Sequence, residues 1–196
     1  MIILGLTGSI GMGKSTTAAM FRELGIAVFD ADRCVHQVYA GEPPAALAAR
    51  FPEAVVDGKI DRSRLGSLVF DDREAMAALE EMIHPIVESE RNKFVRDTKG
   101  EGARIAVLDV PLLFETDSWR RVDAIVVVTA PKEVQRERVL SRRLMDEDRF
   151  FNILKRQTPD TKKRMSAQFV VETQFGFEAA RRQIRNVIAA LAQIDK

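Results

Sequence analysis

The sequence predicts an α/β fold: a three-layer α/β/α arrangement with helices on both faces of a five-stranded parallel sheet. Three observations carry that expectation. Residues 8–15, Gly8-Ser9-Ile10-Gly11-Met12-Gly13-Lys14-Ser15, fit G-x-x-x-x-G-K-[ST] at every fixed position. They lie between an apolar run, Ile2–Leu6, and a helix-like stretch from Thr16 to Phe21, the strand–loop–helix context that makes the pattern a phosphate site. Four later apolar runs are short and continuous rather than alternating, as expected of parallel strands covered on both faces.

At 196 residues the chain suggests one domain, with room for insertions. A net charge of +1 gives no global attraction to nucleic acid or to a membrane surface. The charge is uneven, however. Lys132–Arg164 holds eleven basic residues against six acidic ones, whereas 42–102 holds nine against thirteen. The basic segment is therefore the one expected to meet anions. A single cysteine, Cys34, excludes a disulfide framework and points to a reducing compartment. Two histidines, His36 and His84, cannot build a zinc site without carboxylates. With no basic leader and no apolar run of about 18 residues, a cytoplasmic protein without a membrane span is expected. Oligomeric state is expected to be monomer or weak homo-oligomer.

Taken in order, Ile2–Leu6 is a buried strand. In the loop, glycines let consecutive N–H groups curl round an anion, and the following helix aims its unpaired N–H groups at the same place. Lys14 would reach the β- and γ-phosphates, and the Ser15 hydroxyl would sit on Mg²⁺. The helix ends at Leu24, with Gly25 as its left-handed stop. Ile26–Phe29 is a second strand, ending in Asp30-Ala31-Asp32. Ligands of open α/β sheets bind beyond the carboxyl ends of the strands. One of these acids is expected to cap a helix, Asp30 by position, leaving Asp32 for function.

Residues 33–103 read as helical and irregular, without a strand. Gly41-Glu42-Pro43-Pro44 breaks the chain, Asp57-Gly58 is a turn, and Asp61 caps a helix through Leu65 and Val69. Met76, Leu79 and Ile83 form a helix face that His84-Pro85 should interrupt, with a second helix from Ile86 to Val95. Arg104–Val110 is the third strand. Asp109 at its end could hold Mg²⁺ through water, or cap or orient a neighbour. Asp123–Val128 is the fourth strand, and Pro131 opens a long charged helix. That helix carries Arg138 and Arg142 on one face, suited either to solvent or to a lid that neutralises phosphoryl oxygens. Phe169–Val171 is the fifth strand. A last helix from Phe177 packs through Ile184, Val187, Ile188, Leu191 and Ile194.

This order resembles that of the nucleoside-monophosphate-kinase branch of phosphate-loop proteins. The chain further resembles dephospho-coenzyme A kinases in Leu6–Thr16, Asp30-Ala31-Asp32, His84-Pro85, Asp109-Val110-Pro111-Leu112-Leu113-Phe114-Glu115 and Gln135-x-x-Arg138-x-x-x-Arg142. The resemblance spans nearly the whole chain. It implies a P-loop kinase fold with a helical acceptor-binding insert and a helical lid. The core would be 1–31, 104–135 and 165–196, the acceptor region 32–103 and the lid 136–164. It implies ATP and Mg²⁺ as donor and cofactor, and transfer of the γ-phosphoryl group to the ribose 3′-hydroxyl of dephospho-coenzyme A. On it, Asp32, Lys14, Arg138 and Arg142 are catalytic. Gly8, Ser9, Ile10, Gly11, Met12, Gly13, Lys14, Ser15 and Thr16 bind ATP. Asp32, Arg62, His84, Pro111 and Leu112 meet the acceptor, and Ser15 and Asp109 the metal. The chain departs from the family at Arg142-Arg143-Leu144, Ala167-Gln168 and Glu172-Thr173-Gln174, which bear on the lid and the adenine contacts.

Other readings of the loop have other requirements. A GTPase-like switch would need Asp-x-x-Gly after the third strand. Asp97-Thr98-Lys99-Gly100 fits that string but precedes the strand. A kinase for another small hydroxyl or nucleotide acceptor is compatible with the fold, and only the family-specific runs argue against it. A mere ATP-binding module would leave Asp32 and the lid arginines without a task.

Overall fold

The computed structural model describes residues 1–70, 72–143 and 145–194; Leu144, part of one departure noted above, lies outside them. The chain divides into two compact units, 30–96 in one and 1–29 with 97–196 in the other.

The larger unit is built on a five-stranded parallel sheet. Its strands are β1 (Ile2–Thr7), β2 (Ala27–Asp30), β5 (Ile105–Asp109), β6 (Ala124–Thr129) and β7 (Phe169–Glu172), in spatial order β2-β5-β1-β6-β7. Leu6 pairs with Asp109, Thr7 with Val127 and Thr129 with Glu172. The carboxyl ends of these strands therefore line one edge. Leu4, Leu6, Val107, Val126 and Val128 are buried against Phe21 of helix α1 (Lys14–Glu23) and Ile184 and Leu191 of α9 (Phe177–Ile194). Burying each such side chain stabilises the fold by about 1.5–3 kcal/mol. The packing face of α9 stops short of Ile194, which is exposed in the last turn.

The long charged helix expected after Pro131 is three short ones. They are α6 (Lys132–Leu140), α7 (Glu147–Lys155) and α8 (Asp160–Met165). The breakers are local. Asp146 caps α7 by accepting from the Arg149 N–H, and Pro159 stands immediately before α8.

The smaller unit holds α2 (Ala31–Ala40), α3 (Ala45–Arg50), α4 (Arg62–Val69) and most of α5 (Arg73–Gly100). Its own core gathers Leu47, Phe51, Ile60, Leu65, Val69, Leu79 and Ile83. Asp61 caps α4, accepting from the N–H groups of Ser63 and Arg64. Two expectations fail here. His84-Pro85 does not interrupt the helix, since α5 runs through it. Proline removes one N–H from the ladder, but Leu79 and Ile83 before it and Val87 after it pack on the same cluster, which outweighs that loss. The block also contains strands: β3 (Val55–Val56) pairs antiparallel with β4 (Lys59–Ile60). Asp57 and Gly58 both have positive φ, the geometry of a tight two-residue hairpin. Two-residue strands are too short for alternation to show. No described helix is long and apolar enough to cross a membrane.

Candidate active site

The phosphate loop is shaped by what surrounds it. A Cβ on Gly8 would lie 2.7 Å from the Val128 carbonyl oxygen, so β6 passes too close for any side chain. Gly11 has φ +79°, and a Cβ there would meet Val139 at 2.5 Å and the Gln135 carbonyl at 2.9 Å. Gly13, at φ +95°, is the N-cap of α1. Ser9 and Met12 are buried and close a turn through Met12 N–H donating to the Ser9 carbonyl at 3.1 Å. Ser15 and Thr16 stand exposed on the first turn of α1, where helix N–H groups lack intrahelical partners. Ile10 donates its N–H to Gln157 Oε1 at 3.1 Å, and its carbonyl accepts from Gln135 Nε2 at 2.7 Å.

Lys14 Nζ lies 2.6 Å from Asp109 Oδ1, and the Asp109 side chain is almost fully buried. The register puts Asp109 beside Leu6, so β1 and β5 deliver the loop and the acid to one edge. Just beyond, the Thr7 hydroxyl donates to the Pro111 carbonyl at 3.1 Å, while Leu112 is exposed. Among the described residues no group of three or more histidine, cysteine or carboxylate side chains could hold a metal. A hard carboxylate suits Mg²⁺ that arrives on phosphates, since that ion is usually held by one or two carboxylates plus phosphate oxygens. The donor set of Ser15 and Asp109 fits that use.

On α6, Arg138 donates to Thr173 Oγ1 at 2.7 Å and to the Thr173 carbonyl at 2.9 Å. Thr173 in turn donates to the Met12 carbonyl at 2.9 Å, so the arginine is braced on the loop's own neighbour. Arg142 is exposed at the start of the segment leading to α7. A cavity of about 730 Å³ opens among Ser9, Pro131, Gln135, Phe150, Gln157 and Gln174, within the volume range of small-molecule sites. The stretch from the end of α7 into α8 is tied down at Glu115. Its Oε1 accepts from the Thr158 N–H at 2.6 Å and pairs with the fully buried Lys163 at 3.1 Å. Burial alone would push the Glu115 carboxyl up. The amide hydrogen bonds, from Thr158 and its own N–H, and the Lys163 charge outweigh that and hold it below its usual range.

The smaller unit presents its predicted residues on its surface. Asp30 caps α2 by accepting from the Arg33 N–H at 2.9 Å. This leaves Asp32 exposed in the first turn of α2, where the helix dipole favours a carboxylate. Arg62, exposed at the start of α4, lies with Nη1 3.0 Å from His36 Nδ1. Half-buried Tyr39 has its phenol pushed up by burial, a shift the nearby Arg62 charge partly offsets. His84 is exposed on α5.

Several participants had no sequence signal of their own. Gln157 lies in no motif, and Gln135 was visible only as the first letter of Gln135-x-x-Arg138. Thr173 stood out only as a departure from a family pattern. Glu115 closed a recognisable run, but nothing in the sequence paired it with Lys163.

Against known proteins, the family model described as dephospho-CoA kinase matches residues 2–178. A dephospho-CoA kinase of Rhodopseudomonas palustris strain HaA2 is 51% identical over 196 residues, covering 100% of this chain and 98% of the relative. Among solved structures, TT1252 from Thermus thermophilus superposes with a TM-score of 0.83 at 34% identity, covering 96% of each chain. The dephospho-CoA kinase of Campylobacter jejuni shares the fold, with a TM-score of 0.66 at 23% identity over 96% of each chain.

Proposed function

We infer the chemistry of this site from one premise: the chain belongs to the dephospho-CoA kinase family. It transfers the γ-phosphoryl group of ATP to the ribose 3′-hydroxyl of dephospho-coenzyme A, giving coenzyme A and ADP, the last step of coenzyme A synthesis. The observation that carries the geometric side is the Lys14–Asp109 pair, 2.6 Å apart at the mouth of the glycine loop. It sets a cation and a metal-compatible carboxylate beside a ring of backbone N–H groups.

In the proposed mechanism, residues 8–16 hold the ATP phosphates, with Lys14 exchanging part of its contact with Asp109 for the β- and γ-oxygens. Ser15 and Asp109 would hold Mg²⁺, which supplies charge neutralisation on the phosphates when bound. Asp32 accepts the hydrogen bond of the acceptor 3′-hydroxyl and aims its oxygen in line with the γ-phosphorus. The bond from phosphorus to the ADP oxygen breaks as that to the 3′-oxygen forms, and the hydroxyl proton passes late to Asp32 and on to solvent. A carboxylate is a far weaker base than the alkoxide it would have to generate, so orientation is its larger contribution. Arg138, braced by Thr173, and Arg142 neutralise the transferring group from the lid, residues 136–164. Residues 32–103 form the acceptor region, with Arg62 and His84 meeting acceptor anions and Pro111 and Leu112 its apolar surface.

The test is an acceptor panel with ATP and Mg²⁺. Dephospho-coenzyme A should be turned over and yield coenzyme A, while adenosine, shikimate and gluconate should not. Turnover of another acceptor, with none of dephospho-coenzyme A, would overturn the reading.

A further inference from the structure

Ile10, in the phosphate loop, is held on both its N–H and its carbonyl by side chains from the segment proposed to form the lid and its root. The Ile10 N–H donates to Gln157 Oε1 at 3.1 Å, and Gln135 Nε2 donates to the Ile10 carbonyl at 2.7 Å. These groups belong to the two peptide planes flanking the Ile10 Cα. Together the glutamines therefore set its φ and ψ, and with them the direction of the N–H groups that follow. Gln135 is buried on α6, and its main-chain carbonyl is one of the atoms a Cβ on Gly11 would strike.

Gln157 is itself held on both sides. Its N–H donates to the Leu154 carbonyl at 3.0 Å, finishing α7, and the next N–H, of Thr158, donates to Glu115 at 2.6 Å. Glu115 is anchored in turn by the buried Lys163. With the backbone at Gln157 anchored this way, only the side chain itself has to order when it engages the loop. The same chain of contacts joins the segment after β5, the return of the lid and the phosphate loop.

We propose that Gln157 is a positioning residue for phosphoryl transfer, acting with Gln135 as a two-point clamp that fixes Ile10 and couples the lid to the phosphate loop. It touches the loop rather than the reacting atoms, and its effect on rate passes through the loop N–H groups. The proposal rests on the kinase reading above.

The test uses the full-length protein and its Gln157→Ala, Gln135→Ala and doubly substituted forms. Amide hydrogen exchange at Ile10 is followed without substrate, and kcat and KM are measured with ATP and dephospho-coenzyme A. Gln157→Ala should speed Ile10 exchange and lower kcat by about tenfold, the size of one hydrogen bond, with KM for dephospho-coenzyme A unchanged. The double variant should fall no more than about twofold below the worse single one, since residues acting as one unit are non-additive. Gln157→Glu keeps an acceptor for the Ile10 N–H and should restore slow exchange there, which serves the test if the alanine form does not fold. Unchanged Ile10 exchange, unchanged kcat, or losses that multiply in the double variant would each overturn the clamp. If the unsubstituted protein fails to turn over dephospho-coenzyme A, the kinase reading falls, while the exchange measurement still judges the clamp.

Discussion

The phosphate loop and the surface of the smaller unit are built in opposite ways. The loop is mostly main chain. Its glycines are dictated by close backbone at Gly8 and by positive φ at Gly11 and Gly13, and its Lys14–Asp109 ion pair is nearly buried. The smaller unit instead displays its chemistry on exposed side chains, Asp32, Arg62, His36 and His84, over a core of its own. A wall of backbone N–H groups recognises phosphate on any nucleotide. Exposed side chains on a separate core can select an acceptor without disturbing that wall. On this account donor and acceptor recognition are separable, and substitutions should sort accordingly.

Lys14→Ala should have the largest effect, lowering kcat by about 10²–10³-fold as expected for loss of a preorganised charge at the transferring group. Isothermal titration should find dephospho-coenzyme A affinity unchanged; an equal loss there would break the division. Arg138→Ala should cost about 100-fold in kcat/KM, short of the largest losses known for arginines at phosphoryl sites, because Thr173 and Met12 still shape the loop. A small rise in KM alone would demote Arg138 to a brace for Thr173. Arg62→Ala should raise KM for dephospho-coenzyme A about tenfold, the scale of a charge-assisted hydrogen bond, and leave KM for ATP alone.

Legibility in the sequence follows the same division. The loop was readable because sterics permit few residues at its positions, and the central strands β1, β5 and β6 because burial on both faces leaves continuous apolar runs. Asp30 and Asp61 were readable as caps because short polar side chains at helix starts have one common use. Pro85 misled because a helix end is argued locally, whereas the packing of Leu79, Ile83 and Val87 is tertiary. The β3–β4 hairpin left only its Asp57-Gly58 turn as a trace. Gln157 and the Glu115–Lys163 pair were invisible because each joins residues more than forty positions apart, where no periodicity connects them.

The smallest expected effect concerns pH. The Glu115 carboxyl is held below its usual range in the folded protein. Its contribution to stability is therefore complete above the unfolded carboxylate pKa of about 4.3 and is lost as pH falls through the lower, folded value. Thermal melts should show stability dropping below that pH, with a shallower drop in Glu115→Gln. Identical slopes in the two proteins would show that the Thr158 and Lys163 contacts of Glu115 do not stabilise the fold.

Asp32→Asn tests the division most directly, with ATP binding and the single-turnover rate measured on the same protein. The account requires ATP affinity within about twofold of the unsubstituted protein, and a chemical step slower by about 10²–10⁴-fold, the range for a positioned acid–base group. An unchanged rate, or an ATP affinity that falls in step with the rate, would contradict it.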